Sequence, residues 1–166
     1  MSERQEQDDL PLGHWIKRAF LALTGHVNDL LRPHDLTFSQ WQVLSFVARK
    51  PAGAATQREL QCWLKVEAAT LTGVVDGLVR RGWLTRSENA DDRRVKQLAL
   101  TPEGHAAYEA VSPWLSEAVQ GRVLEGLSPG QVAVAREVLQ RVVENLEGSP
   151  AVHAGGSEGQ LILAPH

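Results

Sequence analysis

A single cysteine, Cys62, in 166 residues excludes an internal disulfide and leaves no thiolate set for a zinc cluster. No apolar run reaches the roughly 18 residues of a membrane span. The polar stretch from Ser2 to Asp9 is unlike a signal peptide, so a cytoplasmic protein is expected. An excess of basic charge is also missing, because 17 basic and 20 acidic side chains leave a net charge of -3. Any affinity for nucleic acid must therefore rest on a local patch. Six histidines are present, but Glu103, His105 and Glu109 form no complete ligand or acid–base pattern, so no enzyme, metal or cofactor is expected. What is there is ordinary for a soluble domain: 43% hydrophobic and 22% charged residues, at a length suited to one folded unit.

The charge that matters is clustered. Between Arg80 and Lys96 lie six basic against three acidic side chains, whereas residues 105–166 hold three against seven. Apolar residues from Leu12 through Trp15, Ile16, Phe20, Leu23, Val27 and Leu31 recur at helical spacing, predicting a long helix over 10–32 that stops at Pro33. Thr37 with Gln40 and Thr56 with Glu59 are capping boxes for two short helices, the second over 57–64. Leu71, Val75 and Leu78 predict a helix over 67–81 that ends at Gly82. The period then changes from helix to strand, and segments 83–87 and 95–100 read as a hairpin around a polar turn. Thr101 and Pro102 start a second long helix, bent at Pro113, and Ser128 with Gln131 starts a last one over 129–147. Residues 1–9 and 148–166 carry no recurring apolar pattern and are expected to be flexible.

Two short helices, a longer helix and a hairpin, in that order, describe a mainly α fold: a winged helix-turn-helix with a two-stranded wing. The longer helix would enter a major groove and the hairpin the groove beside it. On that helix Thr70 and Thr72 are the polar positions ahead of the apolar seam and are the expected readers of the DNA surface. In the wing, Asp92 stands two residues before Arg94, so its carboxylate is expected to orient the guanidinium for a minor groove, while Arg86, Arg93 and Lys96 meet phosphates. Cys62, beside Trp63 and Leu64, reads as a packing residue.

The run Leu78-Val-Arg-Arg-Gly-Trp-Leu-Thr-Arg86, followed by Asp92-Arg-Arg94 and Leu98-Ala-Leu-Thr-Pro-Glu-Gly104, resembles the multiple antibiotic resistance regulator (MarR) family. The resemblance covers most of residues 10–147, with the specific motifs inside 56–104, the expected DNA-binding region. It implies a homodimer whose first and last parts, 10–32 and 105–147, form a helical dimerisation region, and whose paired winged units bind pseudo-palindromic double-stranded DNA. It places Thr70 and Thr72 on the recognition-helix surface, Asp92 and Arg94 at the wing tip, and Arg86 and Arg93 on the DNA backbone. Family members also answer to small aromatic or phenolic ligands held between dimer helices and winged unit, which makes His14, Trp15 and Arg18 the expected pocket neighbours. Gly73 departs from the pattern, since many relatives carry a basic DNA-contacting residue there.

Independently of that resemblance, the apolar faces of 10–32, 105–124 and 129–147 exceed what one small winged unit can bury and predict an oligomer. The expected function is transcription regulation, as a repressor released by a small-molecule effector, in the cytoplasm and on the nucleoid when DNA-bound. The alternative is a winged-helix interaction module without specific DNA binding, suggested by Gly73 and by the near balance of eight basic and seven acidic residues over 56–104.

Overall fold

A computed structural model describes residues 10–51, 53–89 and 92–148. The expected flexible ends, 1–9 and 148–166, lie outside the described residues, apart from Gly148, which is the last residue of the final helix. The chain divides into two units, the first running to Val123 and the second from Leu124.

In the first unit, helix α1 runs from Leu12 to Leu31, immediately after Pro11. Its C-terminal half turns Val27 and Leu31 into the core, with Leu23 and Leu30 packed alongside. Leu12, Trp15, Phe20 and Leu21 on the other half remain 40–60% exposed. A single 3-10 turn, Arg32–His34, and a left-handed Asp35 (φ 53°) redirect the chain. Helix α2, Phe38–Ala48, is the centre of the unit and buries five consecutive residues, Val43 to Val47. A helix buried all round needs elements on every side, and α2 packs against α1, against the helices that follow, and against the sheet. Both expected capping boxes are present: Thr37 with Gln40 opens α2, and Thr56 with Glu59 opens α3, Gln57–Leu64.

Helix α4, Ala68–Arg80, buries Leu71, Val75 and Leu78. It ends in a Schellman turn, in which Gly82 N–H donates to the Val79 carbonyl at 3.0 Å and Trp83 N–H to the Leu78 carbonyl at 3.0 Å. Gly82 takes the required positive φ of 72°. The hairpin follows as β2, Leu84–Glu88, and β3, Lys96–Leu100, paired antiparallel with Leu84 opposite Leu100 and Glu88 opposite Lys96. A third strand joins it that the sequence pattern did not reveal: β1, Ala55–Thr56, pairs with β3 through Ala55 opposite Leu98 and Thr56 opposite Gln97, giving the order β1-β3-β2.

The second long helix is two helices. Helix α5, Pro102–Glu109, and helix α6, Ser112–Val123, are separated at Ala110 and Val111, ahead of the bend expected at Pro113. Proline has no N–H and its ring excludes the carbonyl four residues back, here that of Glu109, so the helix cannot pass through. The carbonyl of Ala110 is taken up instead by the indole N–H of Trp114 at 2.9 Å. In the second unit, α7 runs from Pro129 to Gly148 after a Ser128 cap whose hydroxyl accepts from Gln131 N–H at 3.3 Å. Val134, Val138, Leu139, Val143 and Leu146 of α7 are 43–75% exposed.

Gly104 in α5 is fixed by close approach. A Cβ there would stand 2.0 Å from the Trp83 carbonyl oxygen. Gly104→Ala is expected to destabilise the chain by about 1–3 kcal/mol in urea unfolding, whereas Gly121→Ala in α6, with nothing within 4 Å of the added atom, should stabilise it by about 0.5–1 kcal/mol.

The carboxyl of Glu59 is held below its ordinary value near 4.5 by the hydrogen bonds of the Thr56 hydroxyl and backbone N–H and by Lys50. A lowered carboxyl stabilises the fold above the unfolded value and stops doing so as pH falls through the folded one. Measured between about pH 6 and about pH 3, wild-type chain should lose more stability than Glu59→Gln, whose amide keeps the capping box without titrating.

Candidate nucleic-acid interface

The turn between α3 and α4 is built by Lys65 in the left-handed region (φ 52°), whose N–H caps α3 on the Gln61 carbonyl at 2.9 Å. This sets α4 beside α3 in helix-turn-helix order. Because Leu71, Val75 and Leu78 point inward, the helical period turns Ala69, Gly73, Asp76 and Arg80 outward. Ala69, Gly73 and Arg80 are exposed, and a side chain added at Gly73 would meet nothing within 4 Å. The centre of the outward face is therefore a bare strip of backbone.

Thr70 and Thr72 lie on opposite flanks of that strip, because two residues are about 200° apart around a helix. The sequence reading placed them on one surface, and the structure separates them. Thr72 is half-buried: its hydroxyl donates to the Ala68 carbonyl at 2.8 Å and accepts from Gln57 Nε2 at 3.3 Å, tying α4 to α3. Thr70 is exposed on the other flank, where it helps to wall a cavity.

The expected cations divide into engaged and open groups. Arg86 on β2 pairs with Asp76 on α4 at 2.8 Å. Lys96 pairs with Glu88 across the wing at 2.7 Å, as their facing register dictates. Arg81 lies over the Trp83 ring, 3.7 Å from its centroid, and donates to the Asp35 carbonyl. Arg93 and Arg94 are exposed in the turn between the strands, and no guanidinium partner is recorded for them among the described residues. Asp92 serves this turn differently from its expected role. Its carboxylate accepts from the backbone N–H of Arg94 at 2.9 Å, its own N–H donates to Asn89 Oδ1 at 3.2 Å, and its carbonyl accepts from Val95 N–H at 2.9 Å. This is an aspartate turn that fixes the backbone under Arg93 and Arg94 and leaves the Arg94 guanidinium open.

Asp76 and Gln57 were missed by sequence reasoning. The signal for Asp76 was its spacing, three residues beyond Gly73 on the outward face, with Arg86 sharing the inward side of β2 with Leu84. Cys62 is exposed, not packed, since it sits about 200° around α3 from the buried Leu60. Among the described residues no group of three or more His, Cys, Asp or Glu could hold a metal ion, and no helix is long and apolar enough to cross a membrane.

The cavity has a volume of about 200 Å³ and lies between α1, α2 and α4. Phe20 and Thr24 come from α1, Phe38, Ser39, Gln42 and Val43 from α2, and Thr70, Leu71 and Val74 from α4, with Leu64 and Val66 beside them. None of His14, Trp15 and Arg18 lines it. They lie one to three turns earlier on α1 and pack on one another, with His14 edge-on to Trp15 at 5.8 Å and Arg18 over the Trp15 ring at 5.7 Å. An open groove continues the cavity past Asn28, Arg32 and Asp35.

Comparison with known proteins agrees with this geometry. The sequence profile of the MarR family matches residues 34–95. A mutant MarR of Escherichia coli complexed with operator DNA superimposes with a TM-score of 0.74 at 29% identity, covering 82% of this chain and 96% of that one. The reduced form of Escherichia coli MarR is 30% identical with a TM-score of 0.67, covering 81% and 97%. CouR of Rhodococcus jostii, bound to p-coumaroyl-CoA, is 29% identical with a TM-score of 0.68, covering 82% and 92%. The order of elements, the wing and these likenesses together place the chain in the MarR family of winged helix-turn-helix transcriptional regulators.

Proposed function

We propose that the protein is a homodimeric, sequence-specific regulator of transcription that binds double-stranded DNA as a repressor and is released by a small-molecule effector. The observation that carries this reading is the wing turn, where Asp92 orders the backbone and the side chains of Arg93 and Arg94 are exposed. Arg94 enters a minor groove and Arg93 meets the phosphate backbone. Arg86 and Lys96, bound to carboxylates of the chain itself, chiefly hold the wing in place. Thr72 holds α4 against α3, and Thr70 stands at the flank of the reading face. The operator complex of the Escherichia coli relative supports binding of double-stranded DNA by this fold.

A second copy covers the apolar residues left open in each unit, Leu12, Trp15, Phe20 and Leu21 on α1 and Val134, Val138, Leu139, Val143 and Leu146 on α7. Regions 10–32 and 105–147 thus form the dimerisation part, and two wings then meet a pseudo-palindromic site. The cavity between α1, α2 and α4 is the effector site, in place of His14, Trp15 and Arg18, which belong to the surface near the dimer contact. A ligand there touches the dimer helix and the reading helix at once, and a relative bound to p-coumaroyl-CoA supports ligand control.

Purified protein mixed with genomic fragments, with retained DNA sequenced at fixed salt, should enrich a palindromic site. Arg94→Ala should bind that site about 10- to 100-fold more weakly. Arg93→Ala, which removes one phosphate contact from each wing, should lower the slope of log affinity against log salt by about two per dimer. Asp92→Ala should weaken binding although it removes an acid, and Asp92→Asn, which keeps an acceptor for the Arg94 N–H, should restore most of it. Enrichment of no duplex, or equal retention by Arg94→Ala, would place the wing outside the interface and favour a protein-interaction module.

A further inference from the structure

The outward face of the first turns of α4 offers a base edge methyl groups in place of hydrogen-bonding ones. Ala69 and Gly73 lie at its centre. Thr72 stands about 60° from Ala69 around the helix and is half-buried. Its hydroxyl proton is committed to the Ala68 carbonyl at 2.8 Å, and its oxygen accepts from Gln57 Nε2 at 3.3 Å. The part of this side chain left without a partner is the γ-methyl. Asp76 holds Arg86 at 2.8 Å, and Thr70 walls the cavity on the other flank. Arg80 is exposed but lies roughly 16 Å along the axis from Ala69, beyond the N-terminal turns that such a helix lays against bases.

Resting on the reading above that the chain binds double-stranded DNA, we infer that α4 recognises thymine 5-methyl groups in the major groove through the methyls of Ala69 and Thr72. Thymine alone among the four bases offers an apolar group there, and alanine and threonine methyls are its fitting contacts. The two hydrogen bonds on the Thr72 hydroxyl hold χ1 in one well, so this contact is organised before DNA arrives.

Contact between methyl groups is short-ranged, which requires the helix to come close to the bases. Gly73 meets that requirement. A Cβ there would touch nothing within 4 Å, and its backbone is not in the left-handed region. Neither packing nor conformation within the chain calls for glycine at this helical position, where it is less stable than alanine. Against a duplex, the missing side chain brings the α4 backbone, and with it Ala69 and Thr72, nearer to the base edges.

The test uses the full-length protein and the operator recovered by genomic enrichment. Each thymine of one half-site is replaced in turn by deoxyuridine, which lacks the 5-methyl and keeps every hydrogen-bonding group. Fluorescence anisotropy at fixed salt gives the ratio of affinities for thymine and uracil duplexes. Because each ratio is taken with one protein preparation, losses from misfolding cancel. At two half-site thymines, uracil should weaken binding about two- to tenfold. Thr72→Ser, which keeps the hydroxyl and lacks the methyl, should bring the ratio at one of them to about one. Thr72→Val, which keeps the methyl, should leave that ratio as it is in the wild-type chain, and Ala69→Gly should abolish the ratio at the second position. Uracil tolerated throughout the half-site would overturn the inference. So would ratios unchanged in both Thr72→Ser and Ala69→Gly, which would assign the preference to the shape of the duplex, or a ratio lost in Thr72→Val and kept in Thr72→Ser. An operator that binds equally well with uracil leaves the regulator standing and removes only the methyl readout, whereas recovery of no operator removes both.

Discussion

The backbone of Trp83 is where the reading helix, the wing and the helices behind them are joined. Its N–H closes the Schellman turn on Leu78, and its carbonyl accepts from Thr101 N–H at 3.2 Å. The Thr101 hydroxyl donates to the neighbouring Gly82 carbonyl at 2.6 Å and also caps α5 by accepting from Gly104 N–H at 3.0 Å. Over the indole, Arg81 links the same junction to the turn at Asp35. The two peptide units on either side of the Trp83 Cα therefore tie the end of α4, the start of the wing and the entry of α5 together. The absence of a side chain at Gly104 is what lets the two segments meet so closely.

Around this junction, electrostatics divides the labour among the cations. A basic side chain facing a nearby carboxylate within the fold contributes to geometry, since an exposed pair gains only about 0–1 kcal/mol yet fixes two side chains in register. Asp76 with Arg86 and Glu88 with Lys96 are such pairs, the first linking α4 to β2 and the second closing the root of the wing. The charges left for a partner stand at the tip, where solvent surrounds them on the free molecule. A chain with a net charge of -3 can in this way present a locally positive edge. At Ala69 and Gly73 the outward face of α4 carries little side-chain bulk.

Much of this was legible in the sequence because it is local. The capping boxes at Thr37 and Thr56, the stop at Gly82 and helix α3 over 57–64 depend on residues within four positions of one another, and they appear where their patterns place them. Strand β1 was not legible, because two residues carry no period and their pairing partners, Leu98 and Gln97, are more than 40 positions away. The break between α5 and α6 was half-legible: Pro113 forbids a continuous helix, and the carbonyls it displaces decide where the chain gives way. At the interface, residue types were readable and their engagement was not. Whether Arg81 is engaged depends on Asp35, 46 positions earlier in the chain. The separation of Thr70 from Thr72 follows from the helical period alone. The cavity, walled by three helices, has no signature in any one segment.

Helix α1 passes without a break from the packed half around Val27 to the exposed half around Leu12. Fifteen residues of α-helix measure roughly 22 Å, so α1 is a lever whose fulcrum lies in the core and whose cavity-facing residues, Phe20 and Thr24, lie along its arm. A tilt of about 10° at Val27 sweeps Leu12 through roughly 4 Å. The length of α1 thus turns a small rotation inside the core into a displacement of several ångströms at the exposed apolar residues of its first half.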